Sequence, residues 1–127
     1  MSQILVDSSI WISFFKGSIN QDPFFTLIDT NQLCINDLIL SELVPSLIFK
    51  KEHKLIEILH QISRSQLNID WNALIEYQAR NLSKGINHVG VPDLIIMQNA
   101  LQNNFKLYSL DSHFKQMSKI FPLQLYV

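Results

Sequence analysis

Near its start the chain reads Ile4-Leu5-Val6-Asp7-Ser8-Ser9-Ile10-Trp11-Ile12, in which three apolar residues lead into an acid and then into hydroxyl side chains. This order indicates a short buried strand followed directly by a helix, because Asp and Ser are favoured at helix N-termini. Gly17 then predicts the end of the helix. The first residues thus indicate the β–α unit of an α/β fold.

The same alternation continues along the chain. The predicted strands are Ile4–Asp7, Leu33–Asn36, Leu67–Asp70, Lys106–Leu110 and the alternating tail Leu123–Tyr126. The first two predicted helices begin near Ser8 and at Asp22-Pro23, and a third carries Glu42. Three further predicted helices cover Leu55–Ile62, Trp71–Ser83 and about Pro92–Asn103. Pro45 either bends the helix that carries Glu42 or marks a later start of its regular part. Strict alternation predicts a three-layer α/β/α domain over residues 1–127, with a central parallel sheet of about five strands.

Composition limits the class of protein. The chain has 127 residues, of which 47% are apolar and 17% charged, as expected for one compact domain rather than a disordered or fibrous chain. The net charge of −1 excludes a surface broadly coated with positive charge for nucleic acid. The single Cys34 predicts a buried apolar side chain. The first residues lack the charged start and long apolar core typical of a signal peptide, and no apolar run approaches the length of a membrane span, so we expect neither. We expect a soluble, cytoplasmic protein with no membrane partner.

Four acids lie at the ends of predicted strands or early in the helices that follow: Asp7, Glu42, Asp93 and Asp111. The carboxyl ends of parallel strands share one edge of a sheet, so these side chains should meet there although they are far apart in sequence. Such like charges are costly to bring together unless a cation joins them. Carboxylates without Cys or His favour a hard ion such as Mg²⁺ or Mn²⁺. A metal site of carboxylates is therefore predicted.

The spacing of the last two acids supports this convergence. A helix from about 92 to 103 descends about 18 Å, and a strand over 106–110 climbs back about 17 Å. Asp93 and Asp111 should therefore finish at the same level. Any one of these acids taken alone is more simply a helix cap.

Other chemistries are disfavoured by what the sequence lacks. Glycines occur only at Gly17, Gly85 and Gly90, so no glycine-rich phosphate loop is present. Asp111, Ser112 and His113 are sequence neighbours and do not predict a nucleophilic triad, whose members come from separate elements. His113 is interpreted as a partly exposed helix residue, with a supporting role beside the acids left open. Ser9 and Ser109 lie next to acids in the sequence and are candidates for orienting Asp7 or Asp111.

Four motifs carry a resemblance that spans nearly the whole chain. They are Val6-Asp7-Ser8-Ser9-Ile10-Trp11-Ile12, Asn36-Asp37-Leu38-Ile39-Leu40-Ser41-Glu42-Leu43, Gly90-Val91-Pro92-Asp93-Leu94-Ile95-Ile96 and Tyr108-Ser109-Leu110-Asp111-Ser112-His113-Phe114. In this order they resemble the motifs of PIN-domain ribonucleases, and most of all the VapC-like toxins of toxin-antitoxin pairs. Ser109 stands where Thr is more usual, and Met97-Gln98-Asn99 replaces small residues.

The resemblance implies a function as well as a fold. It places Asp7, Glu42, Asp93 and Asp111 on the family's metal-binding acidic quartet, with Ser109 on its small hydroxyl position. It implies an endoribonuclease that uses Mg²⁺ or Mn²⁺, acts on an RNA such as transfer or ribosomal RNA, forms a homodimer and is inhibited by a cognate antitoxin. The alternatives are a non-catalytic PIN-like binding module and a ribonuclease H-like nuclease, whose fold opens with antiparallel hairpins.

Overall fold

The computed structural model describes residues 3–127, and these form a three-layer α/β/α fold. The strands are β1 (Ile4–Val6), β2 (Leu33–Ile35), β3 (Ser63–Arg64), β4 (Lys106–Tyr108) and β5 (Gln124–Leu125). The helices are α1 (Ser8–Phe15), α2 (Gln21–Asp29), α3 (Asp37–Phe49), α4 (His53–Gln61), α5 (Trp71–Ser83), α6 (Val91–Asn103) and α7 (Ser112–Met117). The predicted parallel sheet of about five strands is confirmed.

The sheet has the strand order β3-β2-β1-β4-β5, and every pair of neighbours is parallel. β2 and β3 therefore lie on one side of β1, and the chain then crosses so that β4 and β5 lie on the other side of β1. Such a reversal opens a crevice at the carboxyl ends of the two central strands, where ligands of open α/β sheets bind. The antiparallel opening of a ribonuclease H-like fold is absent from the described sheet, so that alternative is wrong.

The third strand lies earlier than the sequence pattern predicts. β3 pairs with β2 through Cys34 with Ser63 and Ile35 with Arg64, whereas 67–70 contains no strand. Leu67 and Ile69 are half-buried and pack against the core from a loop, which explains their alternation. The prediction of a strand over Leu67–Asp70 is wrong because alternating burial in a covering loop resembles that of a strand.

Pro45 lies inside α3, which begins at Asp37 and continues unbroken to Phe49. The helix therefore does not begin after Pro45. Proline removes the bond that the Ser41 carbonyl would accept from residue 45. The start of α3 is instead fixed by Asn36, whose side-chain oxygen accepts the Ile39 N–H at 2.9 Å.

Helix α6 is the most deeply buried helix segment of the described chain, with every residue from Leu94 to Ala100 buried. Its buried polar residues are hydrogen-bonded: the Gln98 amide exchanges two bonds with the backbone of Asp70, at 3.1 and 3.0 Å. None of the helices in residues 3–127 is long and apolar enough to cross a membrane. Since Pro92 and Asp93 lie in the first turn of α6, the packing of this helix fixes the backbone position of Asp93.

Candidate metal centre

Asp7 follows β1 and is buried at the central crevice. It caps α1, since its Oδ1 accepts the Ser8 N–H at 2.8 Å. Its Oδ2 accepts hydroxyl bonds from Ser9 at 2.9 Å and from Ser109 at 2.7 Å. Asp7 is thus a helix cap and a member of the converging acids at once, and donors from three serines hold its carboxylate in one orientation.

Ser9 and Ser109 connect the end of β4 to the end of β1. The Ser109 hydroxyl accepts the Asp111 N–H at 3.0 Å while donating to Asp7, and the Ser9 hydroxyl accepts the Leu110 N–H at 3.0 Å. Hydroxyl groups can do both because each carries a donor and acceptor lone pairs. The two serines named from the sequence therefore lie in contact with the acid site, and they set the position of Asp111 relative to Asp7.

Asp93 and Asp111 approach each other on either side of His113. The Nδ1 atom of His113 lies 3.7 Å from Oδ2 of Asp93 and 3.5 Å from Oδ1 of Asp111. Asp111 also caps α7 by accepting the His113 N–H at 2.9 Å. All three side chains are half-buried, and one ligand atom from each falls within 4.8 Å of the others. The prediction that Asp93 and Asp111 lie close together is confirmed. The His113 imidazole contacts both carboxylates, whereas the sequence left its role beside the acids open.

Glu42 reaches the same site from α3 and is more exposed than the other acids. Burial raises the pKa of its carboxyl group, the charges of Asp7 and Asp93 raise it further, and a hydrogen bond with the Ser8 hydroxyl opposes the rise. The pKa of Asp93 is also raised, first by burial and then by Asp111 and Asp7, with His113 acting in the opposite direction. The four predicted acids are therefore near enough to influence one another electrostatically.

These residues fit a divalent cation. Like charges that share a site raise one another's pKa; burial is the first cause of the raised pKa of Glu42 and Asp93, and the neighbouring carboxylates add to it. Carboxylate oxygens are also the ligands that Mg²⁺ and Mn²⁺ prefer. A cation among them would remove the repulsion, so the donor set and its electrostatics both suit the metal.

Two asparagines support the site and were missed in the sequence. Asn99 of α6 accepts a bond from the Asn36 side chain at 3.0 Å and donates to the Ser65 hydroxyl at 3.2 Å. Asn36 in turn caps α3. The helix that carries Asp93 is thereby tied to the start of the helix that carries Glu42. No local signal marks Asn99, because its partners lie 63 and 34 residues away in sequence.

A groove beside Glu42 runs between α1, α3 and α4, with a volume of about 400 Å³. Its walls include the apolar side chains of Ile12, Phe15 and Leu55, and Lys16 and Lys50 lie on it as well. Most of the aromatic residues that crowd the first two helices face elsewhere: Trp11, Phe14 and Phe24 are buried in the core. The groove, rather than that aromatic cluster, is the apolar surface next to the acids.

Comparisons with known proteins agree with this fold. A family described as PIN domain matches residues 4–120. The chain is similar to VapBC2 from Rickettsia felis bound to a promoter DNA fragment, with 18% identity, a TM-score of 0.76, and 97% of this chain and 96% of that chain covered. It is similar to DNA-bound VapBC from Salmonella typhimurium at 16% identity and a TM-score of 0.76, covering 99% and 98%.

A third similar structure is a toxin-antitoxin complex from Klebsiella pneumoniae, with 18% identity, a TM-score of 0.60, and 87% of this chain and 88% of that chain covered. No curated protein sequence matches the chain. At these identities the structural likeness describes the fold alone.

Proposed function

Because this chain belongs to the PIN-domain family, a family of nucleases, we propose that it is a metal-dependent endoribonuclease that hydrolyses phosphodiester bonds of RNA. One observation carries the proposal: Asp93 and Asp111 place ligand atoms within 4.8 Å of each other, and Asp7 and Asp93 lie near enough to Glu42 for their charges to add to the effect of burial on its pKa. An RNA substrate implies a cytoplasmic site of action.

Each residue of the site has a proposed role in binding the metal or in orienting a ligand. Asp7 and Asp93 are the proposed direct ligands of Mg²⁺ or Mn²⁺, with Glu42 and Asp111 holding further ligand positions or metal-bound water. A bound divalent ion supplies charge for the scissile phosphate and lowers the pKa of a coordinated water. Ser9 and Ser109 keep the Asp7 carboxylate in one orientation by donating to its Oδ2.

The test is hydrolysis of RNA by the purified protein and by Asp93→Asn, with Mg²⁺ or Mn²⁺ and with chelator. We expect activity only with metal, and a fall of at least about 100-fold in Asp93→Asn, since a charged ligand at the reacting phosphate is lost. Asp29→Asn is the matched control, because Asp29 is an exposed acid at the end of α2. Full activity of a folded Asp93→Asn protein, or equal activity in chelator, would contradict the proposal.

We propose further that the protein is the toxin of a toxin-antitoxin pair. The similar structures include VapBC complexes and a toxin-antitoxin complex, and the groove between α1, α3 and α4 gives an antitoxin segment a place beside Glu42. An apolar segment in this groove would exclude RNA from the acids. A short reading frame next to this gene, whose product abolishes the hydrolysis, is the expected observation.

A homodimer is the proposed assembly. An exposed apolar surface, here called the α5 face, consists of Trp71, Ile75 and Leu82 of α5 with Val91 of α6, which are 59%, 67%, 60% and 50% exposed. These side chains line one shallow groove whose described walls contain no charged residue. A second copy of the chain fits this face, since symmetric pairing of an uncharged surface brings no like charges together.

A further inference from the structure

His113 is the histidine whose ring nitrogen lies beside the carboxylates of the acid site. The chain has four histidines, and His53, His60 and His88 are exposed side chains on α4 or in a loop. Only His113 is half-buried among acids, with Nδ1 at 3.5 and 3.7 Å from carboxylate oxygens of Asp111 and Asp93. Its backbone is held in place as well, because its N–H donates to Asp111 at 2.9 Å.

The spacing of these atoms suits ligands of one ion. Ligands bound at about 2.1 Å in an octahedral site lie about 3 Å apart when adjacent and about 4.2 Å apart when opposite. The distances of 3.5 and 3.7 Å fall between these limits, and one atom from each of the three residues lies within 4.8 Å of the others. The three side chains therefore offer one oxygen, one nitrogen and a second oxygen atom close enough together to be considered ligands of a single ion.

We propose that His113 binds the metal ion through Nδ1 together with Asp93 and Asp111, and that this nitrogen makes the site prefer Mn²⁺ to Mg²⁺. The inference rests on the proposed metal-dependent function. Mg²⁺ is a hard ion that takes oxygen ligands and keeps its waters, whereas imidazole nitrogen binds first-row transition ions. Asp7 and Glu42 would add only carboxylate oxygens to this site.

The experiment uses pulsed electron paramagnetic resonance of Mn²⁺ bound to protein whose histidines carry ¹⁵N. A nitrogen bonded to the ion gives a hyperfine coupling that neither a distant histidine nor an unlabelled backbone gives. The test variant is His113→Asn, which puts an uncharged oxygen at the position of Nδ1. His88→Asn is the control, since His88 lies in an exposed loop with a positive φ of 66° that Asn tolerates.

We expect the ¹⁵N coupling in the unmodified protein and in His88→Asn, and its loss in His113→Asn while Mn²⁺ still binds. The Kd for Mn²⁺ should rise about tenfold or more in His113→Asn, as loss of even an outer partner of a ligand costs 10–100-fold, and the Kd for Mg²⁺ should change much less. Bound Mn²⁺ without histidine coupling, or equal weakening of both ions, overturns the inference alone. No binding of either ion by the folded protein overturns the proposed function with it.

Discussion

At the residue scale, the four acids have different surroundings. These surroundings decide which carboxylate lowers the stability of the metal-free protein. Asp7 accepts hydrogen bonds from three serines, Ser8, Ser9 and Ser109. Glu42 has its pKa raised by burial and by Asp7 and Asp93. Removing the charge of Glu42 should therefore relieve repulsion, whereas removing that of Asp7 would leave its donors poorly matched.

Glu42→Gln should raise the melting temperature of the metal-free protein by roughly 1–3 °C at pH 7, a modest gain because Glu42 is largely solvated. A raised pKa means that the folded chain holds this proton more tightly than the unfolded chain, so ionised Glu42 lowers stability above the raised pKa. The gain should vanish below about pH 4.5, its ordinary pKa, where Glu42 is protonated in both states.

Thermal melts in chelator at pH 4 and pH 7 measure this difference. Glu57→Gln is a suitable control, because Glu57 is an exposed acid on α4. With Mn²⁺ present the ranking should reverse, since the unmodified protein keeps a ligand that the variant has lost and gains more from binding. A gain that persists unchanged at pH 4 would show that charge repulsion is not its cause.

At the scale of elements, the sequence predicted the long helices and the strands next to the acids correctly, but it misplaced the short strand β3. Asp7, Asp93 and Asp111 could be placed because each directly follows or begins an element whose periodicity is local. β3 could not, since a strand of two residues, Ser63 and Arg64, has no periodicity to read. The link from Asn99 to Asn36, like the approach of His113 to Asp93, depends on tertiary packing that no local pattern records.

Asn99→Ala should destabilise the fold by about 1–3 kcal/mol, because the buried amide of Asn36 loses its acceptor and the Ser65 hydroxyl loses its donor. Since Asn36 caps α3, Glu42 should also be held less firmly, and metal affinity should fall along with stability. Chemical denaturation and Mn²⁺ titration measure the two effects. Asn72→Ala changes the same residue type at an exposed position of α5 and should cost much less.

At the scale of the whole molecule, the order of the strands explains why residues about 100 positions apart form one site. Asp7 and Ser109 are joined by a 2.7 Å bond because β4 returns to the side of β1 opposite β2. The sequence predicted this edge from the alternation of elements. It did not predict which apolar surfaces stay uncovered, because Trp11 and Phe14 in the core and Ile75 on the surface follow similar helical spacing.

The α5 face provides the test of assembly. Ile75 is 67% exposed there, more than its neighbours Trp71 and Leu82, and an isolated apolar surface of this kind on a folded domain commonly marks an interface. Ile75→Glu would place two like charges against each other in a symmetric dimer, and pairing them away from water opposes association. We therefore expect the unmodified protein to sediment as a dimer at tens of micromolar and Ile75→Glu to sediment as a monomer.

Phe49→Glu is the matched control, because Phe49 is 86% exposed at the end of α3 and lies outside the α5 face. It should remain dimeric, while both variants keep their circular dichroism and melting temperature within a few degrees. A monomeric unmodified protein would contradict the homodimer, and a dimer that survives Ile75→Glu would place the interface elsewhere on the molecule. Because the four acids all belong to one chain, unchanged hydrolysis per subunit in a monomeric Ile75→Glu protein would show that each subunit holds a complete acid site.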